Sequence, residues 1–493
     1  MNVFKKALVL SLVTTSLTSY AGLNSKTRLF DMGVDEVLGS IEASIETVKN
    51  PTDCKESLSQ TYQVLYNFDS KEANLPGMTD EDLKRLTQKS FNLRLALKEE
   101  LKQLNYNHPD GKACLLGAKE ITKALRYVED YFIEYLYKRN GRDQEEFITL
   151  AGDGVHFLKK DGLDFKDSND LKEGDVLLSR GNAFTSAAIA RIGQDDYQFS
   201  HMTLVNHNEE GKLYTSEAHI EWGSVVEPFQ VHLDQKNART VLFRHQDEKL
   251  AKRASEYTYH FIKNHKQTRG YNIEYDFGMD LSDEKRIFCS EVPYTGYLHA
   301  AKELYNEEMK LPMYPTQFEK AHLKFLQTIG INVNTENIGT FSTFGPGDMQ
   351  FDPRFEMLAE WRNPTKLKDT RFKDAILTKI FEWMGEKDYS FHNSFGTKIQ
   401  NTFAWILRRN RYLSRKLELD QRFPLNMKVK QMNVFTVLDV VGEALQAELE
   451  IHQAKSETPL TFKELYTILE DFRIRDLAAY KKKSAKFHKR FRP

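Results

Sequence analysis

Apolar residues recur at helical spacing through the first part of the chain, from about residue 30 to residue 140. The pattern is clearest at Leu38, Ile41, Ile45 and Val48 and again at Leu83, Leu86, Phe91, Leu95 and Leu97. Thr79 precedes three acidic residues, which is typical of a helix start. A third helix is expected over 113–137, ending before Asn140 and Gly141. These helices predict an antiparallel bundle or hairpin with a structural or recognition role.

After about residue 171 the apolar segments become shorter and have the length of strands. Strands are predicted at 176–178, 201–205, 212–220, 225–226 and 240–244. The segment 206–211 is expected to join two of them as a hairpin loop. Helices are predicted at 185–192 and 247–266, followed by an aromatic, acidic loop at 270–280. Antiparallel strands with helices before and after them indicate the α+β class, not a doubly wound parallel sheet.

Helical spacing returns after about residue 366 and continues to the end of the chain. Gly345-Pro346-Gly347-Asp348 predicts a tight loop, and Trp361-Arg362-Asn363-Pro364 is interpreted as a boundary. The chain is therefore divided into residues 1–21, an N-terminal helical region at 22–150, an α+β domain at 151–365, and a C-terminal helical region at 366–493.

Length and charge narrow the possible classes of protein. A chain of 493 residues is too long for one compact core, so two or three domains are expected. Hydrophobic residues make up 40% and charged residues 29%, as in folded, soluble proteins. The formal net charge of −1 argues against nucleic-acid binding by the chain as a whole.

Residues 1–21 have the pattern of a signal peptide. Lys5 and Lys6 precede a short apolar run at 7–13, and Ala21 ends a small-residue cleavage site. The run is too short to cross a bilayer. We therefore predict an exported protein of the periplasm or cell envelope, with an uncleaved anchor as the alternative.

Export would place the cysteines in an oxidising compartment, where disulfides form. Cys54, Cys114 and Cys289 are the three cysteines of the chain, and an odd number in an oxidising compartment leaves at least one unpaired or intermolecular thiol. Cys54 and Cys114 both fall in the N-terminal helical region, where they could pair. Cys289 would then be the free thiol.

Cys289 stands where an apolar pair gives way to a predicted helix. Ser290 and Glu291 suit a first helical turn, and Pro293 is tolerated there because its missing N–H costs little. A thiolate at a helix N-terminus is stabilised by the helix dipole, which favours a nucleophile. The alternative is a buried, inert cysteine in a core helix.

A histidine and a carboxylate are predicted to lie close together upstream. His201 begins one strand, and Thr215, Glu217 and His219 share one face of its hairpin partner. Glu217 could then fix the imidazole of His201, and a cysteine packed against the sheet would complete a Cys–His–carboxylate triad. His219 is the alternative third member, because it lies on the same strand face.

A series of motifs gives this arrangement a family resemblance. The series consists of Gly174-Asp175-Val176-Leu177-Leu178-Ser179-Arg180, Ser200-His201-Met202-Thr203-Leu204-Val205, Ser216-Glu217-Ala218, Tyr275-Asp276-Phe277 and Phe288-Cys289-Ser290-Glu291-Val292. It resembles the circularly permuted NlpC-type, papain-like cysteine hydrolases, the YiiX-like group. The resemblance covers about 171 to 300. The chain departs from it at Val292-Pro293-Tyr294, where the family usually carries Leu-Val in an unbroken helix.

The resemblance implies a permuted papain-like domain at 151–365, flanked by the two helical regions. It implies Cys289 as nucleophile, His201 as base and Glu217 as the orienting residue. Tyr275 and Asp276 are expected to line a pocket or help to bind an oxyanion, with structural packing as the alternative. Ser179 and Arg180 are expected to line the cleft.

Metal and cofactor chemistry is not predicted. Histidine and cysteine are zinc-binding residue types, and the chain offers His201, His207, His219 and Cys289. It has, however, no HExxH or paired CxxC motif. Gly345-Pro346-Gly347 lacks the lysine and the helix start of a phosphate-binding loop. We therefore expect a site that works without a metal or cofactor.

The predicted function is an exported thiol hydrolase that cleaves an amide bond in a cell-wall peptide or peptidoglycan fragment. One alternative is a lipid acyl hydrolase or acyltransferase with the same triad, acting on an acyl lipid. Another is a non-catalytic envelope-binding protein with a degenerate hydrolase domain. The basic tail at 481–492 is expected to be a solvated face, or alternatively to contact a membrane or an anionic wall polymer.

Overall fold

The computed structural model describes residues 33–68, 73–142, 156–194, 196–235, 237–282, 285–417, 419 and 425–493. The predicted signal peptide at 1–21 lies outside these ranges. The fold is mixed, with 57% of residues in helices and 12% in strands. Within the described ranges, no helix is both long enough and apolar enough to span a membrane.

Four helices form the N-terminal part of the described chain, one more than the three that helical spacing predicted, because the helix at 51–67 was not recognised. They are α1 (Val34–Ile45), α2 (Pro51–Asn67), α3 (Asp80–Glu100) and α4 (Gly111–Arg139). The predicted start at Thr79 is confirmed, because its side chain accepts the backbone N–H of Asp82 and the Asp82 carboxylate accepts the N–H of Thr79. This reciprocal pair satisfies two N–H groups that a helix start leaves open.

A disulfide joins two of these helices. It links Cys54 in α2 to Cys114 in α4, and Cys289 is the free cysteine. The pairing suggested by the position of the cysteines is therefore confirmed. Helices α1 to α4 bury their apolar faces in a core of their own, in which both disulfide cysteines take part.

An antiparallel sheet of seven strands occupies the middle of the chain. Its strands are β1 (Phe157–Lys159), β2 (Val176–Arg180), β3 (His201–His207), β4 (Leu213–His219), β5 (Gly223–Pro228), β6 (Arg239–His245) and β9 (Phe355–Arg362). The spatial order is β1-β9-β6-β2-β3-β4-β5, and each neighbouring pair is antiparallel. The prediction of an antiparallel sheet with helices before and after it is confirmed. A separate parallel pair consists of β7 (Glu274–Tyr275) and β8 (Arg286–Ile287).

Residues 361–364 join the last strand of the sheet to the first helix of the C-terminal region. Trp361 and Arg362 end strand β9, Asn363 caps the next helix, and Pro364 begins it. All four side chains are buried. Strand β9 was missed because Glu356, Glu360 and Arg362 interrupt its apolar pattern, as in a surface segment. Two of these charges are instead buried among opposite charges from distant parts of the chain.

Helices cover the sheet. Helices α5 (Phe184–Ala190), α7 (Glu248–Arg269) and α8 (Glu291–Tyr305) contribute to a large core with β2, β3 and β6. Helix α6 (Phe229–Asp234) contributes Phe229 to a smaller core that contains Leu177, Val205 and Leu242. Helices α7 and α8 contact each other and both contact β3. This packing sets the start of α8 close to the start of β3, where the candidate site lies.

The C-terminal part is helical, as predicted. It comprises α10 (Pro364–Lys387), α11 (Phe395–Leu407), α12 (Arg411–Lys416), α13 (Val429–Gln453) and α14 (Phe462–Lys481), while a short helix, α9 (Leu323–Ile329), precedes β9. The large core includes residues before and after position 365, such as Phe243 and Leu438.

The end of the chain is folded, which corrects the picture of a wholly solvated tail. Strand β11 (Phe491–Arg492) pairs with β10 (Ser390–Phe391), and Phe491 is buried. Lys481, Lys482 and Lys483 are exposed. Within this basic segment, the side chains of Phe487 and Phe491 are fully buried and attach the end of the chain to the core.

Candidate active site

Cys289 lies at the start of helix α8. It follows strand β8 and precedes Ser290, the residue that caps the helix, and it is 4% exposed. Pro293 is the third helical residue, and the N–H of Tyr294 reaches the carbonyl of Ser290 at 3.4 Å. The helix continues to Tyr305. Pro293 is therefore accommodated within the first turn, where its missing N–H removes no helical hydrogen bond.

His201 and Glu217 face each other from adjacent strands. The register pairs Val205 with Thr215, so alternation along β3 and β4 places His201 and Glu217 on one face of the sheet. His201 Nε2 donates to Glu217 Oε2 over 2.7 Å. The His201 side chain keeps 16% exposure, whereas that of Glu217 keeps 2%. The sequence predicted this approach, and a carboxylate in this position fixes the orientation of the imidazole.

Glu217 has further partners. His219 Nε2 lies 3.2 Å from Oε2, and the ring of His219 stacks on that of His201 with 4.9 Å between centroids. His219 therefore flanks the pair, while Glu217 makes the shorter contact with His201. The side chain of His232 in α6 donates to Glu217 Oε1 over 3.1 Å, and Gln235 Nε2 donates to Oε2 over 3.3 Å.

His232 and Gln235 were not found by sequence reasoning. His232 follows Phe229-Gln230-Val231 in a short helical segment, with no motif around it. Only the packing of α6 beside β4 brings it to the carboxylate, where it is 2% exposed. These two residues add a hydrogen bond to each oxygen of the Glu217 carboxylate.

Cys289 and His201 are electrostatically paired. The Cys289 sulfur lies 4.0 Å from the carbonyl oxygen of Ser200, the residue before His201. Burial favours the neutral thiol, but the hydrogen bond and charge of His201 outweigh it and lower the pKa of Cys289. Burial likewise favours a neutral imidazole, but hydrogen bonds to Cys289 and Glu217 raise the pKa of His201 to about 10. Both shifts favour a thiolate–imidazolium pair over a neutral thiol and imidazole.

Glu217 supports the cation of that pair. Burial alone favours a protonated carboxyl, but the charge of His232 and hydrogen bonds from three histidines hold the pKa of Glu217 well below its usual range. An ionised carboxylate beside His201 stabilises the imidazolium.

Tyr275 borders the sulfur. Tyr275 is 8% exposed, and its hydroxyl is close enough to Cys289 for that residue to shift the pKa of the phenol. Burial and the negative charge of the thiolate keep the pKa of Tyr275 well above its ordinary value. The phenol is therefore neutral and is available as a hydrogen-bond donor beside Cys289.

Asp276, Ser179 and Arg180 occupy buried positions that do not line an open cleft. The Asp276 carboxylate accepts the N–H groups of Gly278 and Asp280 and so shapes the loop after β7. The Ser179 hydroxyl contacts that of Thr240 at 3.2 Å. Arg180 pairs with Asp374 of α10 at 2.5 Å. All three side chains are fully buried and are held by contacts within the protein, which for Asp276 is the structural packing that the sequence left open as an alternative.

Among the described residues, one cluster of side chains consists of residue types that can bind a metal ion. The donor atoms of His201, Glu217 and His219 lie within 4.8 Å of one another. The imidazole–carboxylate hydrogen bonds already account for this approach, since Glu217 bridges both rings. His207, at the other end of β3, lies near Glu173 and not in this group.

Comparison of the chain with protein-family models, with curated proteins and with solved structures found no match. The chemistry of the site is therefore argued from its own geometry. The Cys289 thiol, the His201 imidazole, the buried Glu217 carboxylate and the Tyr275 phenol lie together at the start of α8, and their pKa shifts favour a thiolate and an imidazolium. This set of groups is suited to attack on a carbonyl carbon and to proton delivery to a leaving group.

Proposed function

We propose that this chain is a cysteine hydrolase of the permuted papain-like type, which cleaves an amide bond through Cys289, His201 and Glu217. The proposal rests chiefly on the hydrogen-bonded series that runs from the Cys289 thiolate through His201 to the buried Glu217 carboxylate. The chain order supports the permuted type, because the histidine and carboxylate strands precede the cysteine helix.

The first chemical step forms the bond between Cys289 Sγ and the carbonyl carbon of the substrate. The electrons of the carbonyl double bond move to its oxygen, which becomes an oxyanion. In this mechanism the Tyr275 hydroxyl and the backbone N–H groups at the start of α8 donate to that oxygen. The helix dipole further stabilises negative charge there.

The second step breaks the amide. The oxyanion collapses, the C–N bond cleaves, and the His201 imidazolium transfers its proton to the leaving nitrogen. The product is an amine and a thioester on Cys289. Neutral His201 then takes a proton from water, which attacks the thioester and releases a carboxylic acid. Glu217 keeps the imidazole oriented through both steps.

The proposed location is the periplasm or cell envelope. The pattern of residues 1–21 and the Cys54–Cys114 disulfide support it, since disulfides persist in oxidising compartments. Substrates in that compartment include the peptides of the cell wall, so a peptidoglycan peptide is the proposed amide.

The proposal can be tested by trapping the thioester. We expect wild-type protein mixed with peptidoglycan peptides to release new amino groups and, after rapid acid quenching, to carry the acyl mass on the peptide that contains Cys289. The Cys289→Ala variant should show neither. The conservative His207→Gln variant, altered on the same strand outside the site, serves as a control and should retain both signals.

A second candidate function is hydrolysis or transfer of a lipid acyl group. Trp222, 51% exposed, lies beside His219 with 5.0 Å between ring centroids, so the rim of the site offers apolar surface. The same trapping experiment with a phospholipid should then give a fatty-acyl mass on Cys289. If neither substrate class labels Cys289, and Cys289→Ala retains envelope binding, a non-catalytic binding protein becomes the better description.

A further inference from the structure

Helix α11 carries apolar side chains on its outward face. Phe395, Ile399, Phe403 and Ile406 are 80%, 41%, 60% and 52% exposed, respectively. At 3.6 residues per turn these four positions fall within an arc of about 80°. We call them the α11 stripe. The stripe is a contiguous apolar surface, and surfaces of this kind mark sites of interaction.

The opposite face of α11 is already packed against the protein. Asn401 is buried and donates to Asn433 of α13, and Ala404 and Trp405 pack against Met427 and Met432. The α11 stripe is therefore not a core face that has turned outward. The helix has one apolar face for the protein and a second that points away from it.

Exposed positive charge borders the stripe. The segment 389–417 contains six lysines and arginines, of which Arg408 is buried, and no acidic residue. Lys398 and Arg409 are exposed, and Arg409 stacks on Trp405 at 3.7 Å from the ring centroid. The stripe thus combines exposed apolar residues with a basic border, which is the composition of helices that lie in a membrane interface.

The C-terminal tail adds further positive charge at the same place. Strand β11 pairs with β10, and only three residues separate the end of β10 from the start of α11. The tail segment 481–492 contains seven lysines and arginines and no acidic residue. Because the whole chain has a formal net charge of −1, the remainder of the molecule is acidic on balance. This separation of charge orients the protein toward an anionic surface.

We propose that the α11 stripe and the tail segment form a docking surface for an anionic lipid bilayer. The stripe enters the boundary between headgroups and acyl chains, while the surrounding lysines and arginines contact lipid phosphates. A 13-residue helix is about 20 Å long, so it lies on the membrane and does not cross it. A soluble polyanion would use the charges but would leave the stripe in water.

Docking would bring the candidate active site to the lipid surface. Ile220, which follows His219, and Phe277, whose ring meets that of Tyr275 edge to face, pack with Trp405 around Met427 and Met432. Asn426 donates to the carbonyl of Tyr275 over 2.7 Å. This small cluster therefore contacts both α11 and residues at the rim of the site. The docking surface does not depend on Cys289 chemistry.

Vesicle flotation of the full-length protein tests the proposal. We expect binding to vesicles of phosphatidylglycerol and phosphatidylcholine in equal parts, weaker binding to phosphatidylcholine alone, and weakening by salt. The Ile399→Ser/Phe403→Ser variant should bind about tenfold or more weakly, because two large apolar side chains no longer leave water. The Lys398→Glu/Arg409→Glu variant should lose the preference for phosphatidylglycerol.

Ile451→Ser is the matched control, since Ile451 is 48% exposed on α13 and belongs to neither the stripe nor the tail segment. It should bind vesicles like wild type. Unchanged thermal unfolding in each variant shows that the fold is intact. Absence of wild-type binding would overturn the proposal, as would equal binding by the stripe variant. Binding to soluble polyphosphate but not to vesicles, or a stripe-dependent dimer that ignores vesicles, would also overturn it.

Discussion

Glu217 accepts hydrogen bonds from His201, His232 and Gln235 and lies 3.2 Å from His219. This concentration of donors keeps a buried carboxylate charged, because each donor replaces water that the group has lost. The charge in turn favours the imidazolium form of His201. The reactivity of Cys289 is thus controlled by a residue that does not itself touch the sulfur.

The pH dependence of Cys289 alkylation follows from these shifts. The thiolate is present above its lowered pKa, and His201 stays protonated up to about pH 10. We expect iodoacetamide to modify wild-type Cys289 well below pH ~8.5, where a free thiol titrates. In His201→Ala the cation is gone while burial remains, so the thiol pKa should rise and the low-pH reaction should disappear.

Mass spectrometry of the Cys289 peptide measures this rate without ambiguity, because Cys54 and Cys114 are joined in the disulfide. His207→Ala removes a histidine from the far end of the same strand and should leave the pH profile unchanged. Superimposable profiles for wild type and His201→Ala would contradict the thiolate–imidazolium pair.

At the scale of elements, strand β9 connects the N-terminal helices to the sheet through buried charges. Glu360 contacts Arg94 at 2.5 Å, Arg126 at 2.9 Å and Arg362 at 3.2 Å. Arg94 and Arg126 lie on α3 and α4. Each of these side chains is fully out of water. The helices are therefore held against the sheet by paired charges as well as by apolar contacts.

Removal of the charge on Glu360 should be costly. Glu360→Gln leaves three buried guanidinium groups short of a counter-charge, and losing one partner of a buried pair costs about 3–5 kcal/mol. We expect a loss of this size in the free energy of unfolding, measured by denaturant titration. Glu356 lies on the same strand as Glu360 and makes an exposed pair with Lys160. Glu356→Gln breaks that pair and should cost about 0–1 kcal/mol. Equal losses would argue against a structural role for the network.

On the scale of the whole molecule, the tertiary structure separates the thiols by role. Cys54 and Cys114 are linked across 60 residues of sequence within the N-terminal helices, whereas Cys289 stays free at the candidate site. The disulfide can thus stabilise the helices without consuming the nucleophile. The core around it is distinct from the core that surrounds α8.

We expect Cys54→Ala/Cys114→Ala to lower the free energy of unfolding by about 2–4 kcal/mol, since the unfolded chain regains the freedom that the cross-link removed. The alkylation rate of Cys289 should not change while the protein remains folded. Thermal unfolding with and without reductant provides the measurement, and reductant should have no effect on the double variant. A parallel loss of Cys289 reactivity in folded protein would show that the helices and the site are coupled.

Patterns close in sequence determined much of this protein. Helical spacing located the N- and C-terminal helices, alternation along β3 and β4 put His201 and Glu217 on one face, and Ser290 with Pro293 marked the start of α8. These features depend on covalent spacing and on the period of helices and strands, both of which the sequence contains. The odd cysteine count predicted a free thiol, and the position of Cys54 and Cys114 in one helical region indicated that it is Cys289.

Tertiary structure alone decided which charged residues are buried and what they contact. Charged residue types usually lie at the surface. Three of them, Arg180, Glu360 and Arg362, are nevertheless buried, because segments far away in sequence supply their counter-charges. His232 reaches Glu217 only through the packing of α6. Helix α11 is amphipathic by sequence, but only packing shows that the α11 stripe faces outward, since either apolar face could have joined the core.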